Sequence, residues 1–155
     1  MKLLKNSALL ALLTACYLSS SAQVSVVPVN EPNYDKPKVF ADLPERFSAS
    51  ITELNALLEL PVGTQVNSLI ASGFALRGTV VSKSNPTNKA FKSAVIKTSS
   101  RKEATLTFTR ITKQDGTVSY IGRMMSKDAG DAMEIVKDGA EYVFRKKGFY
   151  DLINE

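Results

Sequence analysis

Carboxylates and aromatic rings are the side chains here that could do chemistry, because the chain of 155 residues has no histidine and a single cysteine. The densest acidic cluster is Asp128-Ala129-Gly130-Asp131, with Glu134 close behind. Two carboxylates around a glycine, helped by a third, could offer oxygen ligands to calcium. The cluster lacks the alternating carboxylate spacing of a dedicated calcium loop, and Asp and Gly are equally the residues of a tight turn. Asp128 and Asp131 are therefore weak metal candidates, and a turn is the expected structure. Glycoside hydrolysis would need two acids facing each other across a cleft. Asp42, Glu45, Glu53, Glu59, Glu103 and Glu141 offer combinations, but none sits in an apolar frame that would raise one pKa.

The aromatic residues Tyr120, Tyr142, Phe144, Phe149 and Tyr150 gather in the last third of the chain. They could form a stacking platform for a sugar or an apolar ligand, with Tyr120, Tyr142, Phe144 and Tyr150 as the candidate ligand or partner surface. Tryptophan, the best residue for stacking on sugars, is absent. Aromatics at alternating positions are more commonly half of a sheet's core, and Met124, Met125 and Met133 suit the same core as gap fillers.

Without histidine, the commonest general base and the favoured zinc ligand are missing. Ser-His-Asp and Cys-His hydrolases and His-bearing metal centres are thereby excluded. No catalytic residue, cofactor or dedicated metal site is expected, and the chain reads as a non-enzyme.

The first residues bear on where the protein works. Lys2 and Lys5 precede an apolar run containing Leu9, Leu10, Leu12 and Leu13, and small Ser20, Ser21 and Ala22 follow. The run is too short for a permanent membrane span, and the order of the parts is that of a secretory signal peptide over residues 1–22. Two processing routes compete. Cleavage after Ala22 removes Cys16, leaves no thiol and yields a chain starting at Gln23. Alternatively, Leu13-Thr14-Ala15-Cys16 serves as a lipobox, Cys16 is lipidated, and the protein is tethered to a membrane. Tyr17 and Leu18 argue for the first route, since they continue the apolar stretch past the cysteine.

Cleavage removes two of the 20 basic residues and none of the 15 acidic ones, so the formal charge falls from +5 to +3. That is too mild to suggest nucleic-acid binding. The basic clusters Arg101-Lys102 and Arg145-Lys146-Lys147 are expected at solvated strand ends or turns.

Residues 23–45 carry Pro28, Pro32, Pro37 and Pro44 with no sustained apolar period, which suggests a partly disordered lead-in. Val24, Val26, Val27 and Val29 could instead make a short edge strand. Residues 46–155 are expected to form one β-rich domain. Ser50 stands three residues before Glu53, a capping-box pattern. Ile51, Leu54, Leu57 and Leu58 then share one helical face, and Pro61 and Gly63 end the helix. From Gly73 the period changes to two. Candidate strands run through Phe74–Val81, Ala94–Thr98, Ala104–Thr109, Val118–Met124, Met133–Ile135 and Tyr142–Phe144. Asp138-Gly139 is the strongest hairpin signal. Phe149 to Ile153 could add a last strand or a helical turn. The expected fold is mainly β: an antiparallel meander of about five to seven strands, as an open sheet or small barrel, with one short N-terminal helix packed on it.

These features suggest an exported, non-enzymatic binding module of the bacterial envelope or the extracellular space. Its partner would be another protein or an envelope component rather than nucleic acid, with membrane contact only if Cys16 is lipidated. Two alternatives share the same features. One is a secreted protease inhibitor or propeptide-like chaperone presenting the loop from Ser84 to Lys92; the other is a carrier of a small apolar ligand inside a barrel.

Overall fold

Alternating apolar residues joined by short turns force each strand to lie beside the one before it. The computed structural model describes Asn33, residues 35–85 and residues 87–152. The expected signal peptide (residues 1–22), with Cys16 and the two processing routes expected for it, and residues 23–32 lie outside the described residues. In chain order the elements are β1 (Arg46–Ser48), α1 (Ile51–Glu59), β2 (Gln65–Ala71), β3 (Phe74–Lys83), β4 (Phe91–Thr98), β5 (Thr105–Thr112), β6 (Val118–Met125), β7 (Asp131–Asp138) and β8 (Glu141–Gly148). The eight strands form one antiparallel sheet in the order β1-β8-β7-β6-β5-β4-β3-β2. It is a mainly β meander, curled into an open half-barrel.

Eight strands, one more than the upper end of the expected five to seven, result because the short β1 and β2 join the six strands read from alternation. β2 hides its period: Val66 and Ile70 are buried, Ser68 is half-buried, and Leu69 points outward and is exposed. Just past the end of β1, Ala49 forms an isolated bridge with Ala71 of β2. Residues 149–152 form a turn rather than a ninth strand, and Leu152 is buried.

Register fixes which residues face inward. Leu106, Met124 and Met133 lie in one row across β5, β6 and β7, and Phe108, Gly122, Ile135 and Phe144 in the next. All are buried, and Leu76, Val80 and Ile96 extend this inner layer across β3 and β4. The opposite face of β5 carries Thr105, Thr107 and Thr109, as a solvated sheet face favours.

Helix α1 lies on the inner layer, where Leu54, Leu57 and Leu58 join the core cluster. Burying three leucines contributes roughly 1.5–3 kcal/mol each, which a helix too short to persist alone requires. Ser50 Oγ accepts the Glu53 N–H at 3.4 Å, as the capping pattern predicts. The reciprocal bond is replaced: Ser50 N–H donates to Ile70 O, and Glu53 accepts from Ser68 Oγ at 2.8 Å. The carboxylate thus ties the helix to β2. At the β7–β8 hairpin, Asp138 pairs with Glu141, so Gly139 and Ala140 make the loop. Gly139 has φ +61° and Ala140 does not enter the positive region, the backbone of a type II′ turn with glycine first.

Residues 35–45, expected within the loose lead-in, pack as a strap across the end of the half-barrel that carries the β4–β5 and β6–β7 turns. Phe40 is fully buried in the common core. Prolines break the apolar period but leave room for one large anchor, and Phe40 is that anchor.

Candidate binding groove between β6 and β7

The β6–β7 ladder runs from Met125↔Ala132 to Gly122↔Ile135 and stops there. Both strands continue, β6 back to Val118 and β7 on to Asp138, without pairing to each other. Inner side chains explain the parting. Gly122 lets β6 approach closely, since a Cβ there would meet Ile135 Cδ1 at 2.7 Å and Thr107 O at 3.1 Å. Beyond this pinch, large rings take the space. Tyr120 stacks on Phe108 with centroids 5.7 Å apart, and Tyr142 meets Tyr120 edge-on at 5.2 Å.

By the alternation of an antiparallel ladder, Tyr120 and Lys137 are the next residues due to exchange hydrogen bonds. Instead the Tyr120 N–H donates to Tyr142 Oη at 3.2 Å. The phenol of a β8 residue thus reaches past β7 and satisfies a β6 donor. Asn55 of α1 donates to Tyr120 Oη at 3.0 Å, so the helix fixes the other ring.

A groove of about 660 Å³ lies over this parting. Its walls are the outward side chains of three strands: Thr107 and Thr109 of β5, Ser119, Ile121, Arg123 and Met125 of β6, and Glu134 and Val136 of β7. Tyr120 and Tyr142 line it from the inner side, and Lys137 stands at its rim. Ile121 is 54% exposed, an apolar side chain presented to solvent at the groove wall. Arg123 Nη2 and Glu134 Oε1 pair across it at 3.3 Å. The lining thus combines apolar and aromatic side chains with threonine, serine and charged groups.

The four aromatics expected to form one surface separate into three places. Tyr120 and Tyr142 meet at the groove. Phe144 does not belong to a surface: it is fully buried and stacked on Phe47 with centroids 5.2 Å apart. Its position in β8 pairs it with Ile135 and turns it inward. Tyr150 lies past the end of β8, where its hydroxyl accepts the Asn33 N–H at 2.8 Å.

Asp131 is neither exposed nor a turn residue. It is the first residue of β7, 2% exposed, and its carboxylate oxygens accept the backbone N–H groups of Val39 at 2.7 Å and Phe40 at 2.9 Å. Both oxygens are engaged in fastening the strap. Asp128 is exposed in the β6–β7 turn. Among the described residues no three His, Cys, Asp or Glu side chains gather where they could hold a metal ion.

Sequence reasoning missed the other strap fasteners. Arg101, assigned to a solvated turn, donates to Val39 O at 3.0 Å and makes a two-pronged pair with Asp42. The hydrogen bond from Arg101 holds the Asp42 carboxyl below its ordinary range. Lys146 Nζ donates to Leu43 O at 2.7 Å and pairs with Glu45 at 3.2 Å. At the other end, the hydrogen bond from Lys92 lowers the pKa of Glu59 on α1, and the backbone N–H of Thr117 lowers that of Asp115 in the β5–β6 turn. The two tight basic clusters, Arg101-Lys102 and Arg145-Lys146-Lys147, were the sequence signal at these clamps, but nothing in them named the strap as their partner.

The β3–β4 loop is tied down by its own side chains. Ser84 Oγ accepts the Ser93 N–H at 2.9 Å, Asn85 Oδ1 accepts the Thr87 N–H at 2.9 Å, and Asn88 Oδ1 accepts the Ala90 N–H at 3.0 Å. Among the described residues no helix is long and apolar enough to cross a membrane. No protein family, curated protein or solved structure gives a significant match to this chain.

Proposed function

We propose that this chain is an exported, non-enzymatic binding module whose ligand lies in the groove between β6 and β7. One observation carries the reading: two neighbouring strands part over an aromatic floor and leave an exposed isoleucine at the wall. The stacked rings part the strands at the expense of main-chain pairing between them, and a ligand could occupy the groove above. The absence of histidine from the sequence and the sorting of the carboxylates into structural pairs agree with binding rather than turnover. The export signal puts the module in the bacterial envelope or outside the cell. The half-barrel interior is filled by α1 and Phe40, which favours an outer-face site over a carrier of the enclosed-ligand kind.

A photo-crosslinking amino acid placed at position 121 in the native host tests this. Leu69 is the matched control, 58% exposed against 54% for Ile121 and on another strand. An adduct at position 121 and none at 69 is the expected result. Equal adducts at both positions, or none at either, would remove the groove from consideration.

A further inference from the structure

Resting on the groove as the binding site, we infer that its occupant is an extended peptide segment carrying an acidic side chain. The two parted strands supply the first argument. Where a ladder stops while its strands continue, main-chain donors and acceptors face the gap. The Tyr120 N–H is taken by Tyr142, but the Tyr120 carbonyl and both main-chain groups of Lys137 are turned to the same side by strand alternation. An alkyl chain or a flat ring lying in the groove would cover these groups without bonding them, a costly arrangement. An extended peptide brings donors and acceptors at strand spacing to the side of β7 left unpaired beyond the last rung, while its alternate side chains reach the apolar wall at Ile121.

Charge complementarity supplies the second argument. Three charged side chains line the groove, and two of them, Arg123 and Glu134, neutralise each other. Lys137 is exposed and pairs with no acid among the described residues. The nearest acid along β7, Asp138, is engaged by Arg46 at 2.9 Å and Arg145 at 3.6 Å. A ligand lying along β7 therefore meets one uncompensated positive charge, and a glutamate or aspartate in the peptide answers it.

The test uses isotope-labelled protein exported by its own leader and a capped peptide, acetyl-Thr-Val-Thr-Glu-Val-Thr-amide. Addition of the peptide is expected to shift the backbone amide resonances of Tyr120, Ile121 and Lys137 and to slow hydrogen exchange at Lys137. Replacing the peptide's glutamate with lysine should weaken binding about threefold to fivefold, the size expected for a solvent-exposed ion pair. Lys137→Glu should reverse that preference, a readout that mere loss of folding could not produce. Alternate N-methylation of the peptide should abolish binding. Equal binding by the N-methylated peptide overturns the inference. So does a shift of the same amides by dodecanoate alone, although the groove then stands as a ligand site. A peptide that moves nothing while the position-121 adduct still forms overturns the peptide class only; failure of both experiments removes the groove as well.

Discussion

The two ends of the half-barrel are built from the same meander and are finished in opposite ways. At the end with the β4–β5 and β6–β7 turns, the chain supplies its own stopper. Phe40 enters the core, Asp131 and Arg101 bind the strap's backbone, and Lys146 holds it at Leu43. At the other end, β6 and β7 separate, and one tyrosine hydroxyl accepts the Tyr120 N–H that a further rung would have used. A sheet of this curvature leaves main-chain groups and apolar surface to be covered at both ends. The difference shows where the sequence spends residues on covering them and where it does not.

The largest expected effect is at the stoppered end. Phe40→Ala should cost about 3–5 kcal/mol, the range for emptying a fully buried aromatic site, measured by urea denaturation of the purified protein. The same truncation at Ile121 should stay within about 0.5 kcal/mol, because that side chain is already in water. Similar losses at both positions would erase the contrast between the ends. Tyr142→Phe comes next: it removes the acceptor of the Tyr120 N–H while keeping the ring, at a cost of about 1 kcal/mol. Faster hydrogen exchange at Tyr120, with the strap amides unchanged, is the accompanying signature.

The smallest effect is electrostatic. Hydrogen bonding from Arg101 depresses the folded-state pKa of Asp42. Its contribution is therefore complete above the unfolded value near about 3.9 and is lost as pH falls through the folded value. Asp42 is 65% exposed, so solvent screening keeps the contribution small. Carbon-detected titration should find its midpoint below that of an ordinary aspartate, and Arg101→Met should return it. A midpoint unmoved by the substitution would show that the clamp is not formed in solution.

Much of the sheet was legible because burial on one face imposes a period of two. Phe74, Leu76 and Val80, or Leu106 and Phe108, name both strand and face. Ser50 likewise marked the start of the helix. β2 was hidden because Leu69 breaks its alternation, and β1 because three residues carry no period. The strap was hidden because a single buried Phe40 among prolines looks like any stray aromatic. At the groove, Tyr120 and Tyr142 were singled out, but Phe144 was grouped with them although the same alternation turns it into the core. The parting itself leaves no local trace. Alternation says which way a side chain points, not where two strands cease to pair, and Asp131 could not be matched to acceptorless amides 91 and 92 positions away.

The pairing of β1 with β8 has a consequence for how the molecule is made. Strands β2 to β8 can zip together hairpin by hairpin as they emerge from the ribosome, each closing a small loop. Arg46 must wait for Arg145, and Phe40 for Asp131, so these two segments can dock only after strands made later in synthesis are present. A nascent chain that stops short of β8 has nothing to which β1 can attach, so loss of the β7–β8 hairpin is felt far away in sequence, at β1 and the strap.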